Sequence, residues 1–188
     1  HDVHVAYQTS GNIAVKDSDV LEIAEFIKRL VNYLSKDEFN TLMKQNITNN
    51  DHVKMGTGFH NAIKNLFEKE INVEKYKALN KVKGLIRQSE AFQGCKHLGL
   101  SDETKIHFLD LPFYQTDRIK KKDISTQDIH IVKNLIETVK PHQIYAAGDL
   151  NDPHGTHRLC LRALYRSIDM LKSKSFMKTC NVWLYRGA

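Results

Sequence analysis

The sequence is poor in the residues that staple, break or anchor a chain: its 188 residues include three cysteines, three prolines, nine glycines and one tryptophan. Cys95, Cys160 and Cys180 are odd in number, widely spaced and in no pairwise metal spacing. That pattern argues against a disulfide framework and a cysteine zinc knuckle, and leaves ordinary reduced thiols. No run approaches the roughly 18 apolar residues a membrane helix needs. No charged-then-apolar leader with a small-residue cleavage site opens the chain, so no membrane partner, no signal peptide and a cytoplasmic setting are expected. Repeats and low-complexity linkers are also missing, and one domain over residues 1–188 is expected.

What is present is the composition of a globular chain, 41% hydrophobic and 27% charged, long enough to bury a substantial core unaided. The net charge of +6 suits a polyanion, but equally a phosphorylated or acidic metabolite. No recognition motif and no basic stripe interleaved with aromatics accompanies it, so a nucleic-acid partner is not expected.

Val3 to Tyr7 is an alternating strand pattern at the very start of the chain, which therefore reads as cut there. A polar glycine turn, Gln8 to Asn12, leads to Val20, Leu21, Ala24, Ile27, Val31 and Leu34 at helical spacing behind Asp17 or Ser18 as cap. Ser35 to Glu38 is a capping box for a helix to about Gln45, and Asn46 to Asp51 is a polar break. Phe59 to Leu98 stays mostly helical and stops at Gly99. Lys105 to Leu111 reads as a second strand. The loop Pro112 to Asp123 carries Arg118, Lys120, Lys121 and Lys122, either a solvated run or a rim for an anionic ligand. A helix from Ser125 to Val139, a strand from Gln143 to Ala147, a helix from Gly155 to Lys172 and a strand from Asn181 to Tyr185 complete the chain. Strands alternating with helices imply an α/β domain with a mostly parallel sheet.

In such sheets ligands bind beyond the carboxyl ends of the strands. Two segments fall there: Thr9 to Asn12, and Asp149 to Arg158, which gathers Asp149, Asp152, His154, His157 and Arg158 between a strand and a helix. Imidazole is a common zinc ligand and a usable acid near neutral pH, although histidine and aspartate also cap helices and brace loops. His4, His52, His60, His97, His107, His130 and His142 read as structural or solvated, and Trp183 and Tyr185 as packing residues.

The run Asp152-Pro153-His154-Gly155-Thr156-His157-Arg158 resembles the second signature of the LmbE-like (PIG-L-type) zinc N-deacetylases. His1 to Gly11 is similar to that family's second strand and Thr-x-Gly loop, and Arg87-Gln88-Ser89-Glu90-Ala91 with Leu98-Gly99 to its Arg-x-x-Glu helix. His1 to Val15, Pro141 to Leu150 and Trp183 to Ala188 are most similar to the carboxyl-terminal LmbE-like domain of two-domain bacterial proteins called glucosamine-6-phosphate deaminase or isomerase. The resemblance implies a Rossmann-like three-layer fold and an N-acetylglucosamine-type substrate. It makes His157 a zinc ligand, His154 the imidazole that polarises or protonates the amide, and Arg87 a residue aimed at sugar hydroxyls, with a helix-pairing arginine as the alternative. Thr9 and Asn12 fall in its substrate loop.

The same resemblance places the other two metal ligands and the general base in a His-Pro-Asp-Asp loop, after a first strand upstream of His1; no such motif occurs in the chain. One histidine does not hold catalytic zinc, so zinc is expected in the intact protein and not in this chain alone. Gly155-Thr156 replaces the usual Pro-Asp, so the carboxylate beside His154 is lost unless Asp152 or Asp149 substitutes. Without the first strand two sheet edges stay unpaired, so either upstream residues complete the sheet or the chain rearranges or forms a homo-oligomer. The expected partners are a small amino sugar or sugar phosphate and an N-terminal deaminase-like domain. The alternative reading is a non-catalytic module whose sugar-phosphate pocket is rimmed by Arg118, Lys120 and Lys121.

Overall fold

A computed structural model describes residues 2–43, 51–67, 73–115, 122–149, 151 and 153–186. His1, Gln45, the break at 46–50, Arg118, Lys120, Lys121 and Asp152 lie outside the described residues. The elements are β1 (Val5–Tyr7), α1 (Asp17–Tyr33), α2 (Lys36–Met43), α3 (Asp51–Leu66), α4 (Val73–His97), β2 (Ile106–Phe108), α5 (Thr126–Val139), β3 (Gln143–Ala147), α6 (Thr156–Leu171) and β4 (Asn181–Tyr185). The architecture is α/β, mostly helical with short parallel strands. It divides into two compact units, residues 11–90 and residues 1–10 with 91–188.

In the 11–90 unit, α1 opens one residue earlier than the sequence suggests. Its N-cap is Lys16, because the Asp19 carboxylate turns back to accept the Lys16 backbone N–H at 3.0 Å. Val20 and Ala24 of α1 share a core with Val15, Ile63 and Leu79. The two helices α1 and α3 approach closely at Gly56, where a β-carbon would stand 2.9 Å from Cβ of Val31. The capping box at the start of α2 forms as expected: the Ser35 N–H donates to Glu38 at 2.9 Å and the Glu38 N–H donates to Ser35 Oγ at 3.3 Å. Helix α3 already begins at Asp51, and His52, expected in a polar setting, is 2% exposed with its ring 5.1 Å from that of Phe39.

In the other unit β1 pairs in parallel with β2, and β3 with β4, as two separate two-stranded sheets among the described residues. Strand β2 is shorter than the run Lys105 to Leu111: Lys105 belongs to a 3-10 turn, and Asp110, two residues past the strand, adopts φ 43°. Only two further bonds, Leu109 N–H to the Tyr7 carbonyl and Leu111 N–H to the Gln8 carbonyl, both 2.9 Å, extend the pairing. Phe92, five residues before the end of α4, lies edge-on against Phe108, ring centroids 5.0 Å apart. Its end is a two-bond glycine stop, Leu100 N–H to Cys95 and Gly99 N–H to Lys96, with Gly99 at φ 86°.

The start of the loop read as a basic surface run is core instead. Leu111 and Phe113 are 0% and 1% exposed, packed with Val132 and Ile136 of α5 and Leu161, Ala163 and Leu164 of α6. Burying each such Leu or Phe side chain contributes roughly 1.5–3 kcal/mol. Asp128 makes the burial of that turn tolerable. Fully buried, it accepts the Phe113 N–H at 2.8 Å, and it closes the capping box of α5 by accepting the Ser125 N–H at 2.7 Å. Strand β3 turns Ile144 and Ala146 onto this core. Its other face carries Tyr145, opposite Trp183, and both are exposed, as is Tyr185. Trp183 and Tyr185 are therefore not part of that core: alternation puts them on the side of the ribbon away from it.

Candidate functional site

Strand β3 runs into the loop that carries the two clustered histidines. Gly148 follows it, donating its N–H to the Tyr185 carbonyl at 2.8 Å. A β-carbon there would stand 2.8 Å from Cβ of Leu184, so only glycine lets the two strands stay paired at this point. Asp149 then uses one carboxylate oxygen to accept the Asn151 N–H at 3.0 Å. It therefore braces the turn at its own position. Asp152, the other candidate for the carboxylate beside His154, lies outside the described residues.

Gly155 is the N-cap of α6 at φ 70°, and its carbonyl accepts the Leu159 N–H at 3.1 Å. Proline is locked near φ −65° and cannot adopt that conformation. The loop thus follows a backbone path that a Pro-Asp pair at 155–156 would not share. His154 precedes this turn and His157 is the second residue of α6, both exposed. Thr9 is half-buried at the end of β1 in the same unit.

Arg87 and Asn12 belong to the 11–90 unit. Asn12 is 5% exposed and opens a single 3-10 turn, its carbonyl accepting the Val15 N–H at 3.1 Å. Gly11 before it stands at φ 66°. The stem of Arg87 lies over that glycine, with Cγ and Nε each 3.3 Å from where a β-carbon would be, and its guanidinium is ion-paired with Glu90 one turn on. Arg87 also lines a cavity of about 490 Å³ with Asp19, Glu22, Phe26, Ile86 and Glu90. Sequence reasoning singled out Arg87 and Asn12 but missed Gly11 as the residue that admits the arginine. Its signal was available, since a glycine at the end of a strand-to-turn segment often marks positive φ or close approach.

A second histidine contact was also missed. His4 and His107 are diagonal neighbours across β1 and β2, Nδ1 to Nε2 at 2.9 Å with stacked rings. Burial, and next the charge of His4, push the His107 imidazole below its usual value. Two imidazoles at that distance share one proton. The pair is a cross-strand clamp, with the Asp2 carboxylate 3.7 Å from the outer nitrogen of His4. Among the described residues no three His, Cys, Asp or Glu side chains are placed to hold a metal ion. The described residues therefore do not fit a catalytic zinc by themselves.

A family model described as PIG-L: GlcNAc-PI de-N-acetylase matches residues 1–168. This chain belongs to the PIG-L family. The PIG-L match runs from β1 through most of α6, includes the Arg87 helix and the His154 to His157 loop, and leaves β4 outside. The chain is also similar to a glucosamine-6-phosphate deaminase-like protein of Bacteroides thetaiotaomicron, 40% identical over 190 residues. That alignment covers 100% of this chain and 26% of the relative, so the chain spans about a quarter of its length. No solved structure matches. No helix among the described residues is long and apolar enough to cross a membrane.

Proposed function

We propose that this chain is the LmbE-like part of a longer cytoplasmic protein of amino-sugar metabolism. The complete protein would remove the acetyl group from an N-acetylglucosamine-type compound, with zinc bound. The observation that carries this reading is the PIG-L match across residues 1–168, which takes in both the arginine helix and the histidine loop.

In this reading each residue has a task that its chemistry suits. Attack on an acetamide builds negative charge on the carbonyl oxygen, and a donor aimed there lowers the barrier by several kcal/mol at most. His154, exposed before the N-cap of α6, is that donor, and Asp152 is the carboxylate the sequence offers it. Arg87, held over Gly11, presents its fork of N–H donors to sugar hydroxyls, and Thr9 and Asn12 are read as further sugar-binding residues. His157 is one metal ligand. The other ligands and the general base come from a loop outside this chain, so residues 1–188 alone bind sugar without hydrolysing it. The edges of β1 and β3 that stay unpaired among the described residues are read the same way: a strand supplied by the longer protein completes a Rossmann-like, three-layer domain. The length and name of the relative support an additional amino-terminal, deaminase-like domain.

A non-catalytic sugar-binding module is the second reading. The left-handed turn at Gly155 and the threonine at 156 favour it, because the loop lacks the carboxylate at 156 that would charge-stabilise His154. Acetate release from N-acetylated amino sugars separates the two. A form extended upstream of residue 1 should release acetate, residues 1–188 should not, and His154→Ala in the extended form should slow release about 100-fold or more. No release from the extended form with any such sugar supports the module and sinks the deacetylase.

A further inference from the structure

We propose that Ile23, Phe26, Leu30 and Tyr33 of α1 form the contact surface for a second copy of this chain, whose own α1 lies antiparallel on the first. The proposal is independent of the reading of Arg87 and of any deacetylase activity.

Helix α1 buries one side of itself through Val20, Ala24 and Val31. Away from that side, Ile23, Phe26, Leu30 and Tyr33 follow one another at steps of three, four and three residues, and they are 39%, 62%, 37% and 89% exposed. Steps of three and four that alternate along a single line are the a and d seam of a coiled coil. They make a narrower stripe than the apolar face that seats a helix on a core. The stripe therefore fits a helix as its partner. The cavity beside Arg87 explains only half of it, because Ile23 and Phe26 line that cavity and Leu30 and Tyr33 do not. A small molecule bound there leaves Leu30 and Tyr33 in water.

Charges beside the seam select the helix and its direction. Glu22 and Arg29 stand one heptad apart on the same flank, both exposed. Glu25 holds Arg29 through Nε at 3.0 Å, which leaves the outer N–H groups of the guanidinium for a further acceptor. A two-fold axis passing at Phe26 brings the partner's Arg29 to Glu22 and the partner's Glu22 to Arg29. The same axis sets Ile23 against the partner's Leu30. A parallel pair would instead bring together two acidic first turns, Asp17 and Asp19 of each copy, and align the helix dipoles. Antiparallel pairing of α1 with itself thus satisfies the apolar seam and both charges at once, as a self-complementary two-fold contact requires. Four seam residues a side is small against the roughly 20–30 residues of a standard interface, so the dimer should be a weak one, dissociating at about 10–100 µM.

The test is analytical ultracentrifugation of residues 1–188 across that concentration range. A reversible monomer–dimer equilibrium is expected, and Phe26→Glu or Leu30→Glu should weaken it roughly tenfold or more, since each places a charge in the seam. Leu85→Glu is the control: it removes an equally exposed leucine from α4, outside the stripe, and should leave the equilibrium unchanged. Glu22→Arg and Arg29→Glu should each weaken the dimer, and the two together should restore it, because the antiparallel pairs reform with their signs exchanged. Circular dichroism confirms that each variant is folded. A protein that stays monomeric to about 500 µM overturns the proposal. So does a dimer that survives Phe26→Glu, as one built on the strand edges would, or one weakened equally by Leu85→Glu. Failure of the double variant to recover overturns the antiparallel arrangement.

Discussion

Arg87 rests on Gly11: the Cγ and Nε of the arginine lie 3.3 Å from the position a β-carbon would take on the glycine, which stands at φ 66°. The contact joins a turn just after β1 to a helix more than seventy residues later, and both partners lie in the 11–90 unit. It fixes the direction of the only cation lining the cavity among the described residues.

Gly11→Ala is therefore expected to do two things. The left-handed conformation costs a non-glycine residue about 1–2 kcal/mol, and the new methyl pushes the Arg87 stem aside. Urea denaturation should show that loss of stability, and sugar binding should weaken with it. Unchanged binding in a folded Gly11→Ala protein would show that Arg87 does not need this seat.

Asp128→Ala should be among the most damaging single changes in the unit that contains the histidine loop. It removes the acceptor of the buried Phe113 N–H and of Ser125, so a loss of about 2–4 kcal/mol is expected. Asp128→Asn keeps one acceptor oxygen and should lose less. Chemical denaturation of the two variants gives the order.

Acidification should loosen the β1–β2 ribbon. His107 titrates below its usual 6.5, first through burial and then through the charge of His4. With the folded value depressed, the unfolded chain binds the proton more readily. The neutral clamp thus stabilises the fold above pH 6.5, and that contribution fades as pH falls below it. His107→Gln should flatten this part of the stability profile. An equal slope in the variant would assign the acid sensitivity elsewhere.

Glu137 behaves in the usual carboxylate sense. Hydrogen bonds from Lys133 and then Lys174 hold it at about 2, against an ordinary 4.5. Its contribution is present above 4.5 and is lost as pH falls toward 2. Lys174→Ala should raise the value seen in a carboxylate NMR titration.

Most of the helices and all four strands were legible in the sequence, because caps and apolar spacing act locally. Ser35 with Glu38, and Gly99 after α4, carry their signals within six residues. What escaped depends on distant partners or on single backbone angles. Asp110 takes a positive φ just past β2, inside a run that reads as continuous strand. Phe113 reads as part of a basic loop until Asp128, fifteen residues on, satisfies its N–H and lets it be buried. Trp183 and Tyr185 alternate as packing residues would, but face away from the core formed with α5 and α6. Of the candidate site, the residue types at 87, 154 and 157 stood out by resemblance. The turn at Gly155 and the seat at Gly11 are conformational facts that emerge only in three dimensions.

The most direct test of the account is zinc content by elemental analysis, on residues 1–188 and on a form extended upstream to the length of the relative, both purified without chelator. The account predicts close to one zinc per chain in the extended form, little in residues 1–188, and loss of the metal from the extended form on His157→Ala. Stoichiometric zinc in residues 1–188, none in the extended form, or zinc that survives His157→Ala would contradict it.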